Sequence, residues 1–245
     1  MNTTLSLVVA CALFGQQRND APEPILTKAP GVEQILRPKL TLLEEEEAKA
    51  KGTDTWIIDE FVIVSPRMIT VDVPGKQPSR RMYLYMLWRV TNRGETPRHF
   101  VPGYTLVDDR GGVYIDIIAP KAQRAIQARE DPLRPLENSI SAIRMLEGSK
   151  EEGLENSLYG VALWDATPLP DPPAGQRRTT IDPKLNSFDI LVSGLSNGFK
   201  MLEDPATGQK KIQRKTLQLK FARPGDEFRP HEREVRYLGH EWIYQ

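Results

Sequence analysis

Residues Gly194 to Gly198 read Gly-Leu-Ser-Asn-Gly and match the G-x-S-x-G pattern of a nucleophile elbow. In such an elbow a serine sits on a tight turn between a strand and a helix, which exposes its hydroxyl beside backbone N–H groups that form an oxyanion hole. The preceding segment FDILVS is typical of a strand, and Asp204, Asp226, His231 and His240 follow in the chain order of a triad. The following segment FKMLEDP soon reaches a proline and leads into a hairpin. The pattern therefore favours a plain turn, and a serine hydrolase using Ser196 is an alternative function.

Two of the three histidines stand in a pattern that resembles a zinc-binding motif. His231-Glu232 and His240-Glu241 each resemble the start of a zinc-binding H-E-x-x-H helix. The last position of that motif is Val235 in the first case and Tyr244 in the second, so neither supplies a histidine pair. Only His99 remains. The sequence predicts no metal site and no cofactor.

Two adjacent acids, Asp108 and Asp109, precede Gly111-Gly112 and resemble part of a calcium loop. Calcium requires six or more oxygen ligands in a spaced arrangement, whereas here Arg110 follows the two acids directly. Glycine in this position suits a hairpin turn. The segment therefore predicts a β-hairpin, and no residue in the chain is assigned a catalytic role.

The segment from Arg81 to Thr91 has the strongest two-residue alternation in the chain. One face carries Met82 to Val90 at every second position, and the other carries Tyr83 and Tyr85 between arginines. This second face either binds a glycan or peptide or is covered by another layer, for example residues 39–51. Trp56, Trp88 and Trp164 lie among apolar residues and are predicted to pack in the core.

The bulk composition excludes several classes of protein. The 245 residues contain 33 basic and 33 acidic side chains, so the net charge gives no indication of a nucleic-acid partner. One cysteine excludes an intrachain disulfide framework. A hydrophobic fraction of 39% is ordinary for a folded domain. The cluster Lys210, Lys211, Arg214 and Lys215 is interpreted as a solvated strand edge.

Residues 1–15 are predicted to be a signal peptide. The apolar run Leu5 to Phe14 is too short for a transmembrane helix, which needs about 20 residues, and matches the central region of a secretory signal. Ala10 and Ala12 suit cleavage after Ala12. Cys11 allows a second interpretation, a lipoprotein anchor in the envelope. We therefore expect export, with no transmembrane segment in the mature chain.

Residues 16–37 are predicted to be a linker, and residues 38–52 a helix. In that helix Pro38 stands at the start, four glutamates precede two lysines, and Gly52 follows, an order that suits the helix dipole. Leu40, Leu42 and Leu43 give it a small apolar face.

Residues 53–245 are predicted to form an all-β domain, an Ig-like antiparallel β-sandwich with one short inserted helix at Pro120–Glu130. Further strands are predicted as follows: Trp56–Val64, Ile69–Val73, Tyr104–Val107, Val113–Ile118, Ser139–Met145, Leu158–Trp164, Phe188–Val192, Lys215–Phe221 and Val235–Tyr244. The absence of alternating strands and helices argues against a parallel sheet.

Several blocks in order, among them YLYMLWRVTNRGETPRHF, TLVDDRGGVYID, YGVALWD and DILVSGLSNG, resemble an uncharacterised family of secreted proteins from planctomycete-type bacteria. The resemblance spans roughly Trp56 to Tyr244. The first part is also similar to an extracellular Ig-like domain family. The resemblance implies an exported β-sandwich and brings no functional residues.

The expected function is that of a non-catalytic binding or accessory module of the cell envelope. Its partner would be an unknown macromolecule, protein or glycan. The proline-rich loop 165–185 and the loop 146–157 are the leading contact regions, because long loops in compact domains are often functional.

Overall fold

The structure, a computed structural model, describes residues 33–149, 156–170, 173, 175–203, 208–223 and 235–245. Thirteen strands and two helices lie in these ranges. In chain order they are β1 Glu33–Leu36, α1 Leu42–Lys51, β2 Glu60–Val64, β3 Arg67–Asp72, β4 Arg80–Thr91, β5 Arg98–Phe100, β6 Gly103–Asp108, β7 Val113–Ile115, α2 Pro120–Glu130, β8 Arg144–Leu146, β9 Leu158–Asp165, β10 Ser187–Ser193, β11 Phe199–Glu203, β12 Lys210–Ala222 and β13 Arg236–Tyr244.

The first sheet is built around β4. On one side β4 pairs with β9 from Tyr83 to Val90. On the other side its first half pairs with β3 and its second half with β2, and β1 extends the sheet from β2. All of these pairs are antiparallel, so the strand with the clearest alternation in the sequence becomes the centre of the sheet.

The second sheet has the order β11-β12-β10-β6-β7, with β13 on the other side of β12. A separate two-stranded sheet joins β5 to β8. The two large sheets are antiparallel and are not closed into a barrel. The predicted all-β sandwich with two helices is confirmed.

The main core lies between the two large sheets. The inward residues of β4 meet those of β6, β10 and β12, as the two-residue period predicts. Trp88 and Trp164 are fully buried, as predicted, and Trp56 packs partly buried against the same core. The Trp88 ring stacks on Tyr104 with centroids 5.7 Å apart and meets the edge of Phe100 at 5.8 Å.

A second core covers the outer face of the first sheet. Ala122 and Ile126 of α2 are fully buried there, next to Tyr83 and Tyr85 of β4. The predicted bounds of α2 match the structure, with Pro120 in the first turn. The first sheet is therefore buried on both faces, and the covering helix is α2, not residues 39–51.

Helix α1 begins later than predicted. Thr41, and not Pro38, is its N-cap, with a capping box to Glu44. Gly52 closes it in the left-handed conformation. Leu42 and Leu43 are 80% and 65% exposed, so the small apolar face does not fasten this helix to the domain.

A buried ion pair fastens α1 to the sandwich. Both carboxylate oxygens of Glu44 lie 2.6 Å from Lys215 Nζ, and the Tyr244 hydroxyl donates to the same carboxylate at 2.6 Å. Burial alone would raise the pKa of Glu44, but Lys215, Tyr244 and the Thr41 N–H lower this pKa to about 2. The Lys215 side chain is 3% exposed, so its prediction as part of a solvated edge is wrong, while Lys210, Lys211 and Arg214 are exposed.

Three boundary predictions are corrected. Residues 33–36 lie in the predicted linker 16–37, yet they form β1 and pair with Phe61–Val64. The predicted strand Ser139–Met145 is wrong over most of its length, because Asn138 caps a turn there and only Arg144–Leu146 pair. The predicted strand from Trp56 pairs regularly only from Glu60 onward. The predicted signal peptide 1–15, including Cys11, lies outside the described residues.

The Gly160→Ala variant tests the packing of the central strands. An added Cβ would overlap the Trp88 ring and approach the carbonyl oxygen of Glu137 to 2.6 Å. Because the ring is buried and cannot move freely, we expect a loss of about 3 kcal/mol in the free energy of unfolding, measured by urea denaturation. Gly94→Ala is the control, since a Cβ there meets only the Asn92 side chain, at 3.2 Å. Equal stability losses in the two variants would contradict this packing.

The Glu44→Gln variant tests the ion pair. A carboxylate whose pKa is lowered by folding stabilises the protein above its unfolded pKa and loses that effect as the pH falls through the folded pKa. We expect a loss of about 2 kcal/mol in unfolding free energy at pH 7. The difference from the wild type should shrink between pH about 4.5 and 2. Glu46→Gln, on an exposed position of the same helix, is the control. A difference that does not change with pH would refute the assignment.

Candidate functional site

Ser196 lies in the turn between β10 and β11. Its hydroxyl donates to the Trp56 carbonyl oxygen at 2.7 Å and accepts from the Gly198 N–H at 3.0 Å. Asn197 accepts from the Trp56 N–H and donates to the Asp54 carbonyl oxygen, both at 2.7 Å. Gly194 supplies the positive φ of +86°. This turn therefore fastens the segment before β2 to the second sheet.

The described part of the chain brings no histidine into hydrogen-bonding contact with Ser196. His99 is exposed on β5, and His240 Nδ1 lies 2.6 Å from the Tyr237 hydroxyl. His231, Asp204 and Asp226 lie outside the described residues. Within the ranges described, no group of three or more histidine, cysteine or acidic residues is placed to hold a metal ion.

The tyrosine and arginine face of β4 is closed by polar contacts as well as by α2. The Tyr85 hydroxyl donates to Glu130 at 2.5 Å, and Arg67 pairs with the same carboxylate at 2.7 Å. Burial and the Glu130 carboxylate raise the pKa of Tyr85. At the two ends of the strand Arg81 pairs with Asp165 and Arg89 with Glu60. Of the two interpretations of this face, the covered one is therefore correct.

Asp108 organises the hairpin between β6 and β7. Its Oδ1 accepts from the N–H groups of Arg110 at 3.0 Å and Gly112 at 2.5 Å, and its Oδ2 accepts from the Tyr114 hydroxyl at 3.2 Å. Gly111 has a φ of +79°. The carboxylate thus serves the turn, and the predicted hairpin at Asp108–Gly112 is confirmed.

A cleft of about 510 Å³ lies between this hairpin and the loop 165–185. It is lined by Asp108, Arg110, Gly111, Gly112, Val113, Tyr114, Gln176, Arg177, Arg178 and Asp182. We call it the arginine cleft. One of the two loops that the sequence singled out therefore forms a concave surface with a neighbouring turn.

Both ends of the loop 165–185 are anchored. At its start Thr167 accepts the Met82 N–H at 3.1 Å, and the Ile181 N–H donates to the Asp165 carbonyl oxygen at 2.8 Å. At its end Ile181 and Leu185 are buried in the main core. The scaffold therefore fixes both ends of the loop that carries Arg177 and Arg178.

The charges in the arginine cleft are unevenly paired. Asp182 Oδ2 forms ion pairs with Arg110 Nη1 at 3.7 Å and with Arg178 Nη1 at 3.6 Å. Both distances are longer than that of an N–H···O hydrogen bond. Asp182 Oδ1 accepts from the Lys184 N–H at 2.9 Å. In the part of the chain that the structure describes, Arg177 makes no ion pair.

Residues 150–155 of the predicted contact loop 146–157 lie outside the described residues, and Ser157 at its end lines a second cleft, of about 470 Å³. Here the Arg134 guanidinium lies over the Tyr159 ring at 4.8 Å. Arg144 donates to Glu137 at 2.9 Å and to the Ser141 carbonyl oxygen at 2.8 Å. Arg134 and Arg144 are thus more fully engaged within the protein than Arg110 and Arg177 of the arginine cleft.

Comparison with known proteins gives no match to a family model, a curated protein or a solved structure. The resemblance to secreted planctomycete-type proteins therefore stays a prediction. None of the described helices is long and apolar enough to cross a bilayer.

The three arginines of the cleft were not among the predicted contact residues. In the sequence Arg110 is notable only because it interrupts a calcium-loop pattern. The adjacent pair Arg177-Arg178 in a proline-rich loop is a visible signal, but its approach to a hairpin more than sixty residues earlier depends on the tertiary fold.

The Ser196→Ala variant tests the structural role of this hydroxyl. Removing it leaves the Trp56 carbonyl oxygen and the Gly198 N–H without this partner, and we expect a loss of about 1 kcal/mol in unfolding free energy. Ser79→Ala, at an exposed position, should change stability by less than about 0.5 kcal/mol. An equally stable Ser196→Ala protein would contradict the structural role.

Proposed function

We propose that the protein is an exported, non-catalytic binding module of the cell envelope, and that it contacts its partner at the arginine cleft. The observation that carries this proposal is the cleft itself, in which an anchored loop and a hairpin place three arginines around one concave surface. Binding residues are often carried by loops that a rigid scaffold positions. Export rests on the predicted signal at residues 1–15.

Two features of the sandwich support a loop-centred site. The outer face of the first sheet is covered by α2, so Tyr83 and Tyr85 on that face are not accessible to a ligand. The Ser196 hydroxyl donates a hydrogen bond to the Trp56 carbonyl oxygen and not to a general base, which supports a structural role in the turn. Hydrolysis by Ser196 and anchoring through Cys11 remain the alternatives.

Site-specific photo-crosslinking in living cells tests the proposal. A photoreactive residue is placed at Gln176, on the rim of the cleft, and at Lys121, an exposed position of α2, in the full-length protein. We expect a discrete envelope adduct from position 176 and none from position 121. Identical adducts from both positions, or none from either, would overturn the proposal.

Two further measurements address the alternatives. Labelling by a fluorophosphonate probe that disappears in the Ser196→Ala variant would show that the protein is a serine hydrolase and not a non-catalytic binding module. Mass spectrometry of the mature N-terminus separates cleavage after Ala12 from a lipidated Cys11. Recovery of an unprocessed N-terminus in the cytoplasm would rule out the exported module.

A further inference from the structure

We infer that the arginine cleft binds an oxyanion group of its ligand, a carboxylate or a phosphate, through Arg110 and Arg177. This inference rests on the proposed function, because it names the chemistry that the same cleft would recognise. The planar guanidinium group offers paired N–H donors that match the two oxygens of a carboxylate or phosphate.

The lining of the arginine cleft holds more positive than negative side chains. Three guanidinium groups face two carboxylates, those of Asp108 and Asp182. The Asp108 carboxylate accepts two backbone N–H groups and the Tyr114 hydroxyl, so its oxygens are used within the hairpin. The described lining therefore carries a net positive charge, which an anionic ligand would neutralise.

Arg110 and Arg177 have N–H groups that are available to donate to a ligand. Arg110 is 80% exposed, and its Nη1 lies 3.7 Å from Asp182 Oδ2, too far for a hydrogen bond. Arg177 has no ion pair within the described ranges and lies on the same lining. A ligand oxyanion can thus take N–H donors from both arginines without first breaking an internal hydrogen bond.

The fold holds the backbone that carries these two arginines. Asp108 Oδ1 accepts from the backbone N–H of Arg110, and Gly111 gives the hairpin its turn. Arg177 belongs to the loop whose later residues, Ile181 and Leu185, are buried in the core. A backbone that is already ordered loses less entropy on binding than a free chain does.

The second cleft provides the contrast within the same molecule. Its Arg144 already donates to Glu137 and to a backbone carbonyl oxygen, and its Arg134 lies over an aromatic ring. An oxyanion there would compete with these contacts. The same ligand chemistry therefore favours the arginine cleft over the cleft beside loop 146–157.

Titration of the full-length protein with citrate and, separately, with inorganic phosphate tests the inference, using calorimetry and amide chemical shifts. We expect saturable binding of at least one of the two probes, with shifts at Gly111, Gly112 and Gln176. The double variant Arg110→Gln/Arg177→Gln should bind at least about tenfold more weakly, because charge-assisted hydrogen bonds are lost. Arg124→Gln, an exposed arginine on α2, should bind like the wild type.

The two arms distinguish the source of the oxyanion. Citrate binding without phosphate binding assigns a carboxylate, and the reverse assigns a phosphate. No saturable binding of either probe, or binding that the double variant leaves unchanged, would overturn the inference. A crosslinked partner at position 176 together with no anion binding would refute the oxyanion chemistry and leave the binding module standing. Anion binding without any envelope adduct would refute the binding module and leave the oxyanion chemistry of the cleft standing.

Discussion

Burial of the first sheet on both of its faces is the constraint on which the rest of the fold depends. One face of β4 lies in the main core and the other lies under α2. A polar group buried without a partner costs several kcal/mol, so a partner for the polar ends of the side chains on the second face stabilises their burial. Glu130 is that partner for Tyr85 and Arg67. Helix α2 thus supplies both the apolar residues that cover this face and the carboxylate that accepts its buried hydrogen bonds.

This constraint also determines where binding can occur. Since the tyrosine face of β4 is covered, the two clefts described above lie beside loops and not on that face. The loop 165–185 follows β9, which pairs with β4, and returns to the core at Ile181 and Leu185. Its residues Gln176 to Arg178 line the arginine cleft next to the β6–β7 hairpin.

The sequence predicted the elements whose signals are local and strong. The alternation of β4, the proline-started helix Pro120–Glu130 and the hairpin at Asp108–Gly112 can be read from neighbouring residues. Other features depend on residues far apart in the chain. The strand pairing of residues 33–36 requires β2, the burial of Lys215 requires Glu44, and the space for the Trp88 ring requires Gly160. The arginine cleft belongs to this second group, because Arg110 and Arg177 line one cleft only after folding.

The central claim is that an anionic group is recognised at the loops and not on a sheet face. Crystal structures of the full-length protein with citrate and, separately, with inorganic phosphate test this claim most directly. We expect at least one of the two anions to lie within hydrogen-bonding distance of the guanidinium groups of Arg110 and Arg177. An arginine cleft that is empty in both crystals, with an anion held between Arg134 and Arg144 instead, would contradict the claim.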